Sequence, residues 1–336
     1  GDYLTPRTQH GELRLRKPIL TYWIIVASHH LLGVSPLSSR LPFVLIGTAI
    51  IGLTYRLGRK VLPDRDGAWL ATLIVAFHPA LVLASSQAIP DIVLALSILI
   101  GTLGFCDLIA ERRPSAASYL LAYSGIGLAI LSKGFPGVAF GLVAIAVSVW
   151  FGAWSDRQQR VKHGMMLTLA CVGTAMWFLL VIRRHGDVVI SQILHDQIVE
   201  RSPPKWWKPL IQMPQVLGLV AASYLPWTGW LMISGRESWT VMIQQVRQNR
   251  GLQFLLIWSV VFLLLASCVD LVILRYQVVL APALSVIFAA QLMSLRSAAR
   301  EVGFHRQTRL MTGLLGIALA VCGLFVGAWS GLSWGL

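Results

Sequence analysis

The chain has 336 residues, of which 56% are hydrophobic and only 12% are charged, and its mean hydropathy is +0.70. Soluble globular proteins carry roughly 25% charged residues, so this composition excludes a water-soluble domain, as well as disordered, coiled-coil, collagen-like and disulfide-rich classes. Lys and Arg outnumber Asp and Glu by 28 to 14, which in a membrane protein reflects basic loops and anionic lipid rather than a nucleic acid partner. The composition predicts an all-α, polytopic bundle of transmembrane helices.

The first apolar stretch in the chain, residues 19–32, is too short and too aromatic to span a bilayer. We expect it to form a helix in the membrane interface. Ten later stretches are predicted as spans, at 41–57, 68–86, 91–110, 117–132, 136–153, 164–182, 213–233, 252–267, 272–294 and 310–330. The chain therefore divides into an external segment with interfacial helices at 1–40 and a transmembrane domain at 41–336, which carries a long external loop at 183–212.

The beginning of the chain gives a further expectation. It opens on Gly1 rather than Met, and no apolar stretch precedes residue 19. Because an integral membrane protein needs an insertion signal, usually its first helix, we expect that N-terminal sequence has been lost.

The loops between spans indicate the orientation. Every loop of one alternate set carries at least two basic residues, within 56–65, 112–113, 157–162, 236–250 and 296–309. This regularity identifies the cytoplasmic face. The opposite face still carries two basic clusters, Arg7, Arg14, Arg16, Lys17 and Arg40, and then Arg183, Arg184, Arg201, Lys205 and Lys208. Since such clusters are disfavoured outside, we expect an anion there, for which a lipid-linked phosphate is the obvious candidate.

Three short motifs on the external face can carry chemistry. Lys17 precedes the interfacial helix and can neutralise a lipid phosphate, although a lysine that binds generic headgroups explains it about as well. Asp91 follows Pro90 at the start of a span, where a carboxylate is well placed as an N-cap and can also hold a hydroxyl. Lys133 precedes Gly134 at the end of another span, where ordinary helix termination is the leading explanation.

Two later segments also contain candidate anion ligands. Arg201 lies in the 183–212 loop and can contact phosphate through two hydrogen bonds, whereas the neighbouring paired Trp residues are typical interfacial anchors. Arg275 lies at the external start of a span, where it opposes the helix dipole and requires an anion, either Asp270 or a ligand phosphate. No Walker A or HExxH motif is present, so an activated donor must arrive through the membrane.

These motifs occur in the order of a known pattern. The residues that carry it are Gly1-Asp2-Tyr3, Gly11-Glu12-Leu13, Lys17-Pro18, Tyr22-Trp23, Gly33-Val34-Ser35, Arg40-Leu41-Pro42, Pro90-Asp91, Lys133-Gly134, Arg201, Pro226-Trp227, Arg275-Tyr276 and Pro282. The chain resembles the GT-C membrane glycosyltransferases of the dolichyl-phosphate-mannose protein mannosyltransferase type. It is most similar to their bacterial branch, which contains 4-amino-4-deoxy-L-arabinose lipid A transferase.

The resemblance implies a polyprenyl-phosphate-linked sugar donor and a lipid or protein hydroxyl as acceptor. It assigns Lys17, Lys133 and Arg201 to the donor phosphate. We predict Arg275 as a further phosphate ligand and Tyr22 and Tyr276 as substrate-binding residues. Asp91 would hold acceptor or sugar hydroxyls as part of the catalytic site. The expected location is the inner membrane, with the active site facing the periplasm.

Two departures from the family pattern concern the base and a metal. The family's catalytic base is an acid in the first external loop, which the resemblance places before Gly1. Some members hold a divalent metal with a Glu directly before the KP lysine and a loop histidine, but Arg16 occupies the first position here and Ile198 lies near the second. The sequence therefore predicts no metal-ligating residues and no certain cofactor, and a divalent metal stays an alternative whose family ligand positions are not matched here.

The resulting prediction is an inverting glycosyltransferase that acts at the external membrane face. A transporter or flippase for an anionic lipid or solute could use the same external cations, but it predicts ionisable groups within spans or paired interrupted helices. A catalytically inactive membrane scaffold is the third alternative, because the base is expected upstream. The sequence does not identify the sugar, the acceptor or the oligomeric state.

Overall fold

The computed structural model describes residues 3–7, 10–11, 13–15, 17–186, 189, 207–233, 236–268 and 274–302. This part of the chain consists of α-helices joined by short connections, with one 3₁₀ helix and no strand. The α-helices are α1 (Leu20–Leu32), α2 (Pro36–Val61), α3 (Arg65–Ala76), α4 (Pro79–Ser85), α5 (Pro90–Ala110), α6 (Ala116–Lys133), α7 (Phe135–Trp150), α8 (Arg157–His185), α9 (Lys208–Ser223), α10 (Trp227–Ile233), α11 (Arg236–Gln248), α12 (Arg250–Ser267) and α13 (Ala281–Val302). The predicted all-α class is confirmed.

Five of the described helices, α2, α5, α6, α8 and α12, are long and apolar enough to cross a membrane, and the bent pair α3–α4 makes a sixth candidate. The predicted spans at 136–153, 213–233 and 272–294 coincide with shorter apolar helices. The interfacial stretch at 19–32 is helical as predicted, in α1. The last predicted span, 310–330, lies outside the described residues.

Helix α5 is the centre of the bundle, since 16 of its 21 residues are buried. It packs most closely against α6, and two glycines allow this approach. A Cβ atom added to Gly104 would lie 2.2 Å from the backbone nitrogen of Ala122, and one added to Gly125 would lie 2.3 Å from that of Gly101. In a membrane, lipid tails are as apolar as the side chains, so hydrophobic burial does not drive helices together. Small residues instead allow close packing of the helix backbones.

The antiparallel packing of α5 and α6 defines two ends of the bundle. At the Lys133 end, Asp91 near the start of α5 pairs with Lys133, the last residue of α6. At the Lys60 end, Asp107 pairs with Lys60 of α2 and accepts a hydrogen bond of 3.0 Å from the Ser118 hydroxyl. Since α5 rises about 1.5 Å per residue, the two ion pairs are separated by roughly 24 Å along its axis.

Three of the predicted spans are interrupted, each beside a proline. The 68–86 span consists of α3 and α4, which meet at an angle of 58° before Pro79. The 213–233 span divides into α9 and α10 before Pro226, and the 272–294 span begins as a 3₁₀ helix (Leu274–Val279) before Pro282 in α13. Proline lacks the backbone N–H and clashes with the preceding turn, so hydropathy alone could not show these breaks.

The three breaks meet at Tyr224. Its ring lies 4.5 Å from the ring of His78 in the α3–α4 connection, measured between centroids. Its hydroxyl donates a 3.1 Å hydrogen bond to the Ala281 carbonyl at the start of α13. Ser223 donates to the amide oxygen of Gln277 in the 3₁₀ helix. Ser223 and Tyr224 therefore fix the 3₁₀ helix and the start of α13 against the core.

Candidate functional site

Asp91 and Lys133 form a buried ion pair at the Lys133 end, between the first turn of α5 and the last turn of α6. The exposed fractions of their side chains are only 4% and 8%. An ion pair that is removed from water is retained only where its geometry is good, and deletion of one partner leaves an uncompensated charge. The pair therefore connects two motifs that lie 42 positions apart in the sequence.

The prediction that Asp91 is an N-cap is wrong. Helix α5 begins at Pro90, its N-cap is Ile89, and no side chain caps it. Proline favours the first helical position, because its fixed φ suits the helix and its missing N–H needs no partner there. Asp91 is therefore displaced into the first turn, where its carboxylate turns to Lys133.

The predicted termination of α6 is confirmed, and it has a further consequence. The helix ends at Lys133, and Gly134 adopts the positive φ of 69° that glycine favours. Helix α7 then starts at Phe135, with Pro136 in its first turn. This tight connection holds the Lys133 ammonium group at the rim of the bundle core.

Tyr276 lies directly beside the ion pair. The Lys133 Nζ atom is 4.0 Å from the centroid of the Tyr276 ring, and the Arg275 guanidinium carbon is 5.5 Å from the same centroid. Cations within about 6 Å of an aromatic ring are attracted to its face. The structure thus brings together four residues that the sequence assigns to the site: Asp91, Lys133, Arg275 and Tyr276.

Lys133 and Arg275 differ in their exposure to solvent. Lys133 is buried in its ion pair, whereas Arg275 is exposed at the start of the 3₁₀ helix. The alternative partner that the sequence offers for Arg275, Asp270, lies outside the described residues. Arg275 is placed to meet a ligand from outside, and Lys133 to meet one that enters between the helices.

A small cavity of about 90 Å³ opens beside Lys133 and Tyr276. Its other walls are mostly apolar and come from α5, α7 and α12, including Phe135, Phe262 and Leu265. A cation and a phenol ring at the edge of an apolar wall suit a molecule that has a charged head and a hydrocarbon tail.

The Lys17-Pro18 motif lies beside the Lys133-Gly134 turn. A Cβ atom added to Gly134 would lie 3.9 Å from the Pro18 Cγ atom. Lys17 is half-buried at the same corner of the bundle. The structure therefore brings the two lysine motifs of the sequence together at the Lys133 end.

The segment before α1 is anchored there by a second hydrophobic cluster. Leu15 and Ile19 are buried against Trp177 and Val181 of α8. The Trp177 indole donates a 3.1 Å hydrogen bond to the Leu4 carbonyl. These contacts fix the position from which Lys17 emerges.

Among the described residues that the sequence assigns to the site, Tyr22 is not brought to the ion pair. Tyr22 is half-buried and packs on the second cluster together with Leu131 of α6, so its role in substrate binding stays a prediction. Arg201 lies outside the described residues, as do Arg16 and Ile198, the positions that bear on a metal. Among the described residues, no group of three His, Cys, Asp or Glu side chains could hold a metal ion.

Sequence reasoning missed the residues that support the site from within. Ser223 bonds Gln277 of the 3₁₀ helix that presents Arg275 and Tyr276, and Tyr224 bonds Ala281 directly after that helix. His78 is only 1% exposed, and neither ring nitrogen has a hydrogen-bond partner among the described residues. The signal that could have found this cluster is a proline close to each of the three breaks.

Comparison with known proteins supports the predicted resemblance. The family model for dolichyl-phosphate-mannose-protein mannosyltransferase matches residues 16–181, which include Lys17, Asp91 and Lys133. An undecaprenyl phosphate-alpha-4-amino-4-deoxy-L-arabinose arabinosyl transferase of Erwinia tasmaniensis is 25% identical over 80% of this chain and 47% of its own length. Its counterpart in Pseudomonas aeruginosa is 23% identical over 77% of this chain and 46% of its own length.

The fold also matches a solved structure. The crystal structure of ArnT from Cupriavidus metallidurans bound to undecaprenyl phosphate superposes with a TM-score of 0.71 at 23% identity, covering 87% of this chain and 52% of ArnT. The chain thus spans about half the length of the relatives that it matches. The resemblance predicted from the motifs is confirmed: the chain is similar to the dolichyl-phosphate-mannose-protein mannosyltransferase family over residues 16–181, and it has the helical fold of the ArnT structure.

Proposed function

We propose that the protein is a glycosyltransferase that moves a sugar from a polyprenyl-phosphate donor to a hydroxyl of a lipid acceptor. The observation that carries this proposal is the convergence of Asp91, Lys133, Arg275 and Tyr276 beside an apolar cavity. A phosphate on a polyprenyl chain has the chemistry that this arrangement suits, since its head is anionic and its tail is apolar. The ArnT structure with undecaprenyl phosphate supports the same class of donor.

In the proposed reaction, the oxygen of the acceptor hydroxyl attacks the anomeric carbon from the face opposite the phosphate. The bond between that carbon and the phosphate oxygen breaks, and polyprenyl phosphate leaves with the bonding electron pair. The hydroxyl proton passes to a carboxylate base, which the resemblance places before Gly1. The configuration of the sugar is inverted in this single displacement.

The cations of the site stabilise the leaving phosphate. We assign the buried Lys133 and the exposed Arg275 to the negative charge of this phosphate. We assign Lys17 and Arg201 to the same phosphate. Electrostatic stabilisation of developing charge in a site that excludes water is typically the largest contribution to such a reaction. One Asp91 oxygen accepts from Lys133, and we assign the other to an acceptor or sugar hydroxyl.

The proposed location of the reaction is the periplasmic face of the inner membrane. The Lys60 end carries the loops with regular basic residues, including Arg112, Arg157 and Lys162. The positive-inside rule assigns that end to the cytoplasm, so the Lys133 end faces the periplasm.

A flippase for an anionic lipid is the second candidate, and one observation favours it. Three interrupted helices meet at His78 and Tyr224, and interrupted helices mark the binding sites of many transporters. However, His78 and Tyr224 are closely packed and do not open the core to a ligand. His78 is 1% exposed, and the Tyr224 ring stacks on Phe288 at 4.6 Å between centroids.

A transfer assay in detergent solution separates the two candidates. The protein, expressed from its whole gene and purified in micelles, is mixed with undecaprenyl-phospho-sugar and a lipid acceptor, and glycosylated lipid and free undecaprenyl phosphate are measured. Micelles have no compartments, so transport gives no signal there. Equimolar formation of both products supports the transferase, and absence of both under conditions where reconstituted vesicles move the lipid would support the flippase.

A further inference from the structure

One cavity in the described part of the molecule has no role in the proposed reaction. It lies at the Lys60 end, has a volume of about 740 Å³ and is formed where the α5–α6 and α7–α8 connections meet the start of α12. Helix α5 separates Asp91 from Glu111 at the cavity wall by 20 residues, or roughly 30 Å at 1.5 Å per residue. The cavity is therefore distinct from the candidate site.

Basic side chains dominate this cavity. Arg112, Arg113, Lys162 and Arg250 line it, whereas the acidic lining residues are Glu111 and Asp156. Basic loops on a cytoplasmic face are ordinary, but they need not converge on a concave surface. Here, cations from the α5–α6 connection, from α8 and from the start of α12 do converge, and they outnumber the acids four to two.

Arg250 shows that the cavity is built around a fixed cation. Its guanidinium group donates hydrogen bonds of 3.4 Å to the carbonyls of Ile109 and Phe151, at the ends of α5 and α7. The same group lies 5.6 Å from the centroid of the Phe151 ring. These contacts hold the guanidinium group at the wall of the cavity. Because the side chain is already ordered, it would lose little conformational entropy when a ligand binds.

A buried tyrosine belongs to the lining of the same cavity. Tyr119 lines the cavity and is 2% exposed, yet its hydroxyl has no hydrogen-bond partner among the described residues. The Lys162 ammonium lies 5.8 Å from the Tyr119 ring centroid. Burial of a hydroxyl without a partner costs free energy, so a ligand oxygen beside Lys162 would satisfy the hydroxyl as well as the charge.

We propose that this cavity binds a phosphate-bearing anion at the Lys60 end, with a phospholipid headgroup as its main source. The neighbouring aromatic residues favour a lipid. Trp150 at the end of α7 is 85% exposed, and Phe151 follows it into the cavity wall. Exposed Trp residues at the end of an apolar helix lie at headgroup depth, so the cavity opens at the level where anionic headgroups are found.

Native mass spectrometry of the purified chain tests the proposal. The chain is titrated with phosphatidylglycerol and, separately, with phosphatidylethanolamine, which has no net charge. We expect phosphatidylglycerol to be retained in preference and to bind at least ~10-fold more weakly to the double variant Arg112→Gln, Lys162→Gln, the loss expected when hydrogen bonds to a charged ligand are removed. Equal retention of both lipids by the wild type would overturn the proposal.

Two further variants distinguish a built site from general surface charge. Arg157→Gln removes a charge from the same end without touching the cavity and should bind like the wild type. Tyr119→Phe removes only the unpartnered hydroxyl and should weaken binding severalfold. The same loss in Arg157→Gln as in the double variant, or no loss in Tyr119→Phe, would contradict the site.

A soluble competitor identifies the source of the anion. If glycerol phosphate displaces phosphatidylglycerol and its own binding falls in the double variant, the phosphate group alone is recognised and a soluble ligand can supply it. If it does not compete while phosphatidylglycerol binding still falls, the lipid is the ligand. Binding of undecaprenyl phosphate at the Lys133 end should be unchanged in the double variant, so this proposal and the proposed function can fail separately.

Discussion

Asp91 and Lys133 form a buried ion pair that joins the first turn of α5 to the last turn of α6. Each residue belongs to a two-residue motif that alone has an ordinary structural explanation, a helix start for Pro90-Asp91 and a helix end for Lys133-Gly134. Their pairing, with Tyr276 over the lysine, is what makes the two motifs one site.

The ion pair should stabilise the fold as well as the ligand. Asp91→Asn leaves the Lys133 charge buried without its partner, and we expect it to lower the free energy of unfolding by about 3 kcal/mol. The double variant Asp91→Asn, Lys133→Gln removes both charges and should recover most of that loss. Unfolding of the wild type, Asp91→Asn, Lys133→Gln and the double variant in detergent measures the cycle. If Asp91→Asn alone is as stable as the wild type, the carboxylate does not depend on Lys133.

Lys17 should contribute to turnover through the leaving phosphate. Lys17→Ala should lower the transfer rate by about 100-fold, equivalent to ~3 kcal/mol of lost charge stabilisation. Transfer from undecaprenyl-phospho-sugar by the whole protein in membranes is the measurement. Arg7→Ala changes an exposed cation that hydrogen-bonds the Gly11 carbonyl and is a control for charge in the same segment. Unchanged transfer by a well-folded Lys17 variant would remove this residue from the site.

Tyr224 should act on the site through the 3₁₀ helix. Tyr224→Phe removes the hydrogen bond to the Ala281 carbonyl and should cost about 1 kcal/mol of stability. Because the 3₁₀ helix presents Arg275 and Tyr276, donor binding should also weaken severalfold. A binding titration beside a thermal unfolding curve checks both parts. Loss of stability with fully retained donor affinity would show that Tyr224 supports only the fold.

The close contact of α5 and α6 can be tested by comparing the stability of two glycine-to-alanine variants. Gly104→Ala would place a Cβ atom 2.2 Å from the Ala122 backbone nitrogen, so the helices must separate, at a cost of at least about 3 kcal/mol. Gly173→Ala in α8 meets no atom within 4 Å and should be neutral or stabilising by up to about 1 kcal/mol. Yield and melting temperature in detergent report the difference, and equal behaviour of the two variants would contradict the described packing.

The orientation has its own test. In a background without native cysteines, Val34→Cys lies at the Lys133 end and Gln158→Cys at the Lys60 end, and both positions are exposed. A membrane-impermeant thiol reagent added to intact cells with a permeabilised outer membrane should label position 34 only. Labelling of position 158 from outside would reverse the assignment of the reaction face.

Hydropathy and loop charge predicted the class of fold and most helices, because these signals depend on length and composition alone. They could not predict that the breaks before Pro79, Pro226 and Pro282 meet in space, because only tertiary packing brings all three to Tyr224. A span that looks continuous in hydropathy can therefore be two helices in the structure.

The sequence predicted which residues form the site, but not the contacts between them. Lys133, Asp91, Arg275 and Tyr276 were named from short motifs, whereas the ion pair depends on the register of α5 against α6, which Gly104 and Gly125 help to set. The error over the N-cap has a local cause, because Pro90 takes the first helical position, so the N-cap is Ile89 rather than Asp91.

Equilibrium binding of undecaprenyl phosphate to purified protein tests the central claim most directly. Lys133→Ala and Lys60→Ala are a matched pair, since each removes a lysine from an ion pair with an aspartate, at opposite ends of the bundle. We predict that Lys133→Ala weakens binding by at least ~10-fold, the effect of one lost hydrogen bond to a charged group, and that Lys60→Ala binds like the wild type. Equal affinity of Lys133→Ala and wild type, or equal losses in the two variants, would contradict a phosphate site at the Lys133 end.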